Sequence, residues 1–299
     1  MKIALTVSVI CLAVGLVGLT LAFALSGFNI FNFNSMEFHT NSYTVSETFS
    51  KIHVSDIECD IRLFPSDDES TRIEAKENDK IYYTIQAENE ILEIKRHDKR
   101  AWYEHIGFFF NQDMVLKLYL PKSAYELLTL ETVSGNIEVP DSFTFTSITL
   151  KTTSGEITSE CTVNNGATVA VTSGNIRICN VLDGKISVGS VSGNITLTNS
   201  QGTHLRLSAT SGNIKLQNVI ATGDINAETV SGGIELDRVD GAKLSAKTTS
   251  GNVTCKLLSP KNYSVSTTSG STHYPASDES AGICEVSTVS GNINIELYS

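Results

Sequence analysis

Hydrophobic and polar positions alternate along most of this chain, and from residue 126 onward the alternation itself repeats. Nine triplets mark the repeat: Val133-Ser134-Gly135, Thr153-Ser154-Gly155, Thr172-Ser173-Gly174, Val191-Ser192-Gly193, Thr210-Ser211-Gly212, Val230-Ser231-Gly232, Thr249-Ser250-Gly251, Thr268-Ser269-Gly270 and Val289-Ser290-Gly291. Successive glycines are 20, 19, 19, 19, 20, 19, 19 and 21 residues apart, a fixed period that identifies a repeat architecture. Seven residues before the glycine stand Leu128, Ile148, Ile186 and Leu205, with Cys284 in the last copy, and five before it Leu130, Leu150, Val188 and Val286. Two residues after it come Ile137, Ile157, Ile176, Ile195, Ile214, Ile234 and Ile293, then Leu197, Leu216 and Leu236 with Cys255 at the same position. Polar residues fill the gaps, so each unit predicts two strands with one buried face, joined through Ser-Gly.

A unit of 19 residues cannot bury that face alone. Like positions must therefore stack on like, about 4.8 Å apart, as in a parallel β-helix. The expected fold is all-β: a single-stranded, right-handed parallel solenoid of about nine rungs of 19–20 residues, roughly 40 Å long. Glycine suits the corner because it takes positive φ freely, and the Asn after it (Asn136, Asn175, Asn194, Asn213, Asn252, Asn292) tolerates left-handed backbone. A third apolar contact is expected seven residues past the glycine, at Val181, Val219, Val239 and Leu258. The Ser column is explained by hydroxyls satisfying backbone groups at a tight turn, and the Asn column by side-chain amides bonding from rung to rung.

Residues 46–125 lack the triplet but still alternate, and predict an irregular β cap over the first rung, which would otherwise end in open backbone groups. At the other end the chain stops on its ninth rung, 284–299, after an acidic insertion at Ser277–Ser280. That rung shows no obvious cap: either the insertion folds over its edge, or the edge pairs with something, self-association included. The domain reading is 1–27 membrane anchor or signal peptide, 28–45 linker, 46–125 cap and 126–299 repeats.

Ile3–Leu25 carries no charge or proline, long enough at about 1.5 Å per residue to cross a bilayer core. It reads as a retained single-pass anchor, with a cleaved signal peptide as the alternative, because Ala22-Phe23-Ala24 fits a small-x-small site. Lys2 keeps the short N-terminus inside and places the bulk of the chain outside the cell membrane. The net charge of -11 becomes -12 without Lys2, since no acidic residue precedes Glu37; nucleic acid is excluded as a partner.

The chemistry-bearing residues form no catalytic pattern. No GxSxG, HExxH, P-loop or dinucleotide fingerprint occurs, so neither catalytic residues nor a cofactor or metal site is assigned. Asp224, Asp237 and Asp240, with Arg238, come nearest to a cluster and read as solvated turns. Outside the apolar segment lie Cys59, Cys161, Cys179, Cys255 and Cys284, an odd number without CxxC spacing. Cys255 and Cys284 occupy core positions, whereas Cys161 and Cys179 fall on adjacent rungs where a disulfide remains an alternative to free thiols. The segment 102–110 contains Trp102, Tyr103, Phe108, Phe109 and Phe110. It reads either as a hairpin packed on the cap or as an exposed patch for lipid or a membrane partner.

The stretch Met114-Val-Leu-Lys-Leu-Tyr-Leu-Pro121 leading into Leu128-Thr-Leu-Glu-Thr-Val-Ser-Gly-Asn-Ile137, followed by repeated Ser-Gly-Asn-Ile, resembles the bacterial putative-adhesin family of β-strand-repeat proteins. The likeness runs from about residue 46 to the C-terminus. Members are often predicted membrane proteins, and some resemble products encoded beside envelope-stress regulators in Gram-positive bacteria. The resemblance implies a cell-surface role and supplies no catalytic residue. The expectation is a non-enzymatic, membrane-anchored envelope protein, an adhesin-like binding or scaffold module for a cell-wall polymer or envelope protein. A carbohydrate-active β-helix lyase or hydrolase, and a self-assembling structural protein, are the alternatives.

Overall fold

The computed structural model describes residues 12–18, 20, 21, 24, 37–101 and 114–298. The repeat folds into a β-solenoid. Before each Ser-Gly corner one strand stacks in parallel register on its neighbours: Lys185–Ser192 lies between Ala167–Ser173 and His204–Ser211, placing Ile186 beside Ala167 and Leu205. After the corner, Ile195–Gly202 stacks between Ile176–Cys179 and Ile214–Ala221 in the same way. Two long sheets result, and the residues between them form one continuous apolar core from Ile52 to Ile295. The ladder positions read from the sequence are buried in both sheets, Cys255 and Cys284 among them.

The corner glycine is needed for a closer reason than backbone freedom. A Cβ at Gly193 would lie 1.9 Å from the Gly174 carbonyl oxygen, and one at Gly212 would lie 2.0 Å from that of Gly193. Consecutive corners therefore approach through bare backbone, which only glycine permits. The corner hydroxyls come from the inward Thr three residues before the glycine rather than from Ser: Thr152 Oγ1 donates to the Gly135 carbonyl at 3.0 Å and Thr229 Oγ1 to that of Gly212 at 3.0 Å. The Asn side chains do bond from rung to rung, each through its amide oxygen to a backbone N–H. Asn175 Oδ1 accepts the Asn194 N–H at 3.0 Å, Asn194 Oδ1 the Asn213 N–H at 2.9 Å, and Asn213 Oδ1 the Gly233 N–H at 2.7 Å. Left-handed residues sit instead at the second bend, at Asn180, Asn199, Asn218 and Arg238. There Val181, Val219 and Val239 are buried, but the register shifts after Asp237 and pairs Val239 with Leu257, which leaves Leu258 exposed.

Parallel stacking does not stop at residue 126. Lys51–Ser55 and Asp60–Pro65 form a rung directly against the first repeat, with Ile61 beside Ile137 and Cys59 where the glycine would be. Ile91–Asp98 and Val115–Leu120 form a further rung outside that one. Antiparallel strands then close the end: Ile81–Glu88 on one sheet, Thr71–Glu77 and His39–Val45 on the other.

The C-terminal end departs from the expected order. The ninth rung is not the edge: Ile283–Ser290 lies between Lys243–Ser250 and Asn262–Ser269, and Ile293–Leu297 between Val253–Leu257 and Thr272–His273. The eighth rung is outermost. The reason lies in their inward residues. The ninth offers Cys284, Val286, Ile293 and Ile295, all buried, whereas the eighth has Thr272 and Tyr274, both exposed, at the matching places after its corner. The more apolar rung takes the interior slot. Residues 274–282 cross the edge on the way, where Ser277 Oγ accepts the Tyr263 N–H at 3.1 Å.

Among the described residues no helix is long and apolar enough to cross a membrane; residues 12–18 are helical and exposed, and the rest of Ile3–Leu25, apart from residues 20, 21 and 24, lies outside them.

Candidate binding surface

Trp102, Tyr103, Phe108, Phe109 and Phe110 lie outside the described residues. What is described is the base from which that segment leaves. The two strands of the outermost parallel rung end at Asp98 and begin at Val115, and a buried ionic cluster includes Asp98. Asp56 Oδ1 accepts the N–H groups of Ile57, Glu58 and Cys59 at 2.6, 2.9 and 2.9 Å, and Arg96 Nη1 at 3.2 Å. Tyr83 donates its hydroxyl to the other Asp56 oxygen. Arg96 Nη2 reaches Glu58 at 2.8 Å, and Arg100 reaches Glu58 at 2.9 Å and Asp98 through Nε at 2.9 Å. Both the Asp56 and Arg96 side chains are fully shielded from solvent.

Buried charges need this density of partners to offset their desolvation. The same shielding fixes protonation. Burial, and then the Asp56 charge, raise the Tyr83 hydroxyl far above its usual range and push the Cys59 thiol up to about 12. Burial opposes the charge on Arg96, but Asp56, Cys59, Tyr83 and Glu58 around it together outweigh that effect and hold it protonated. Groups so far from neutrality exchange no protons at physiological pH. The cluster is a structural anchor at the end of the strand Ile91–Asp98.

Asp224, Asp237 and Asp240 do not converge. Asp240 Oδ1 accepts the Gly241 N–H, Ser259 Oγ and the buried Lys261 Nζ at 2.8, 3.0 and 2.5 Å, fastening one corner. Burial alone would raise its carboxyl; the Lys261, Ser259 and Gly241 donors outweigh that and lower it. Asp237 pairs with Arg238 at 3.4 Å, and the Asp224 backbone N–H faces His204 Nδ1. All five described cysteines are free. Cys161 lies 3.3 Å from Ser159 Oγ, and burial raises its thiol to about 11. Among the described residues no group of three or more His, Cys, Asp and Glu side chains could hold a metal ion.

Two surfaces remain that the sequence reading did not single out. The first residue of every triplet points outward, so Ile57, Val133, Val191, Val230 and Val289 are exposed in one column with the intervening threonines. On the sheet after the corner, a groove of about 630 Å³ crosses the fourth to seventh rungs. It is lined by Asn194, Asn213 and Asn252 of the Asn column and by Thr196, Lys215, Glu235, Thr254 and Lys256. Lys215 Nζ meets Glu235 Oε1 at 2.9 Å. Within its lining the sixth copy reads Gly232-Gly233 where the copies on both sides read Gly-Asn.

No curated protein matches the chain. Among solved structures it is similar to a putative adhesin from Bacteroides fragilis at 17% identity, covering 88% of this chain and 98% of that one with a TM-score of 0.44. A putative adhesin from Parabacteroides distasonis is similar at 14% identity over 87% and 98% of the two chains, with a TM-score of 0.47. A putative lipid binding protein from the same organism is similar at 14% identity over 87% and 97%, with a TM-score of 0.44. The model of one family spans residues 49–296, from the inner cap rung to the last strand, and the chain belongs to that family, Toastrack DUF4097.

Proposed function

We propose that this protein is a non-enzymatic envelope module, anchored by Ile3–Leu25 to the cell membrane, that presents a rigid rod to a wall polymer or envelope protein. The observation that carries this reading is the commitment of the buried ionisable groups to structure. Asp56, Arg96 and Tyr83 lock one another, and Asp240 is fastened to Lys261, while the rod offers long, regular, polar faces. A glycan lyase or hydrolase would need carboxylates converging on a substrate groove with at least one free to exchange protons. In the groove described above, Glu235 is paired with Lys215 instead. Residues 102–110 are the proposed contact with lipid or a membrane partner. Crosslinking the anchored protein in its native membrane tests the reading. Capture of wall polymer or of one reproducible envelope protein is expected, and recovery of bulk lipid alone would contradict it.

The eighth rung supports a second reading. Its edge strand Asn262–Ser269 contains no charged residue, although edge strands usually carry charge that blocks pairing. End-to-end association would then use this strand rather than residues 284–299. Val265→Lys should convert any dimer of the full chain to monomer, as read by light scattering; unchanged mass would discard the idea.

A further inference from the structure

Along the corner column each Asn side chain accepts the backbone N–H of the next rung, from Asn175 to Gly233 and again from Asn252 to Asn292. The chain of acceptors breaks at Gly233, which has no side chain. The Asn252 N–H consequently finds no acceptor among the described residues, and it sits at the wall of the groove that crosses the fourth to seventh rungs. A donor left without an acceptor takes a carbonyl, carboxylate or hydroxyl oxygen.

Charge and composition select among these. The groove is lined by two cations, Lys215 and Lys256, and two carboxylates, Glu235 and Asp237, so its formal charge is zero in a chain of net charge -11. Lys215 and Glu235 already neutralise each other. An anionic ligand therefore gains little there and is repelled by the rest of the molecule. Donors and acceptors are mixed: the Nδ2 groups of Asn194, Asn213 and Asn252 donate, and the Thr196 and Thr254 hydroxyls do both. Hydroxyl groups, which also do both, are the natural complement. The elements repeat at the rung spacing of about 4.8 Å, which is close to the length of one pyranose ring along an extended glycan.

We infer that the groove over Asn194, Asn213, Gly233 and Asn252 is a binding site for a neutral glycan lying along the rod axis, with a sugar oxygen accepting the Asn252 N–H in the place of the missing Asn side chain. This rests on the binding-module reading and specifies its ligand class. The gap also supplies its own control. Gly233 is not in the left-handed region, and a Cβ there would stand 3.3 Å from the Asn252 carbonyl oxygen, a contact that a small shift relieves. Asn occupies the same position in the rungs on both sides, so Gly233→Asn should complete the column and fill the recess without harming the fold.

The test is calorimetric titration of the full-length chain in detergent with three probes: a β-linked glucose hexamer, an N-acetylglucosamine hexamer, and polyglutamate as the anionic control. Saturable binding of at least one neutral hexamer is expected, weakened tenfold or more by Gly233→Asn, whose melting temperature stays level or rises, with no binding of polyglutamate. Binding of neither hexamer, or equal binding by Gly233→Asn, would overturn the assignment, as would tighter binding of polyglutamate. Retention on isolated envelope fragments separates the two levels of the proposal. If wild type and Gly233→Asn are retained equally, the binding module stands and the groove is not its site; if neither is retained, the module reading itself falls.

Discussion

The middle of the rod and its N-terminal end solve the same stacking problem with different chemistry. Between the second and seventh rungs, neutral groups recur at the Ser-Gly corners: bare glycine carbonyls, Thr hydroxyls and Asn amide oxygens. In the two rungs formed by residues 51–65 and 91–120, the corner position holds Cys59 in one and the departure of residues 99–114 in the other. No repeated acceptor is available there. Asp56, Glu58, Arg96 and Arg100 take over, and Asp60 Oδ1 stands in for the Asn by accepting the Asn136 N–H at 2.8 Å. Repetition makes charge unnecessary; an insertion at the corner requires it.

The largest expected effect breaks the middle. Gly193→Val places a branched side chain against the Gly174 carbonyl and should cost about 4 kcal/mol or more, or prevent folding, as read by urea denaturation. Gly233→Ala, at the open position, should stay within about 1 kcal/mol of wild type. The next effect breaks the end. Arg96→Met leaves Asp56 buried without its cation and should destabilise by about 3 kcal/mol, with Arg96→Lys failing to restore the fork to Asp56 and Glu58. Protease cleavage within residues 102–113 should accelerate in parallel.

A smaller effect comes from acid. Burial tends to raise the Asp98 carboxyl, but the Arg100 hydrogen bonds and charge outweigh it and hold it low. A group lowered on folding adds stability above its unfolded value of about 3.9 and loses it as the pH falls through the lower folded value. Between pH 5 and pH 3, amide exchange at Leu92 and Ile94 should therefore speed up relative to Val169 and Leu207, where no carboxylate takes part. Smallest of all are the column side chains. Asn213→Ala removes the acceptor of the Gly233 N–H and should cost about 1 kcal/mol, whereas Ser192→Ala, exposed at its corner, should change stability by less than about 0.5 kcal/mol.

The middle was legible because its signal is repeated: burial of Ile186, Leu205, Ile195 and Ile214 follows directly from their offsets to the glycine. The inner cap rung was harder, since Ile57-Glu58-Cys59-Asp60-Ile61 keeps the apolar offset of Ile61 but loses the triplet. The order of the last rungs was not legible from strand pattern. Every rung carries the same alternation, so either order satisfies it, and only the poverty of Thr272 and Tyr274 as core residues favoured the eighth for the edge. The corner hydroxyls expected from Ser and the left-handed backbone expected at the Asn column were misplaced because a composition column does not reveal which atom meets which backbone group. The groove was not legible because its lining residues come from four rungs, and its one break in the Asn column, Gly233, reads in sequence as a trivial variation.

Incubating the full-length protein with isolated envelope polymer, while measuring both retention and release of reducing ends, tests the central claim most directly. The account expects saturable retention with no release above the protein-free control. Release that grows with protein concentration would show catalysis and contradict it, and absence of retention would remove the binding module.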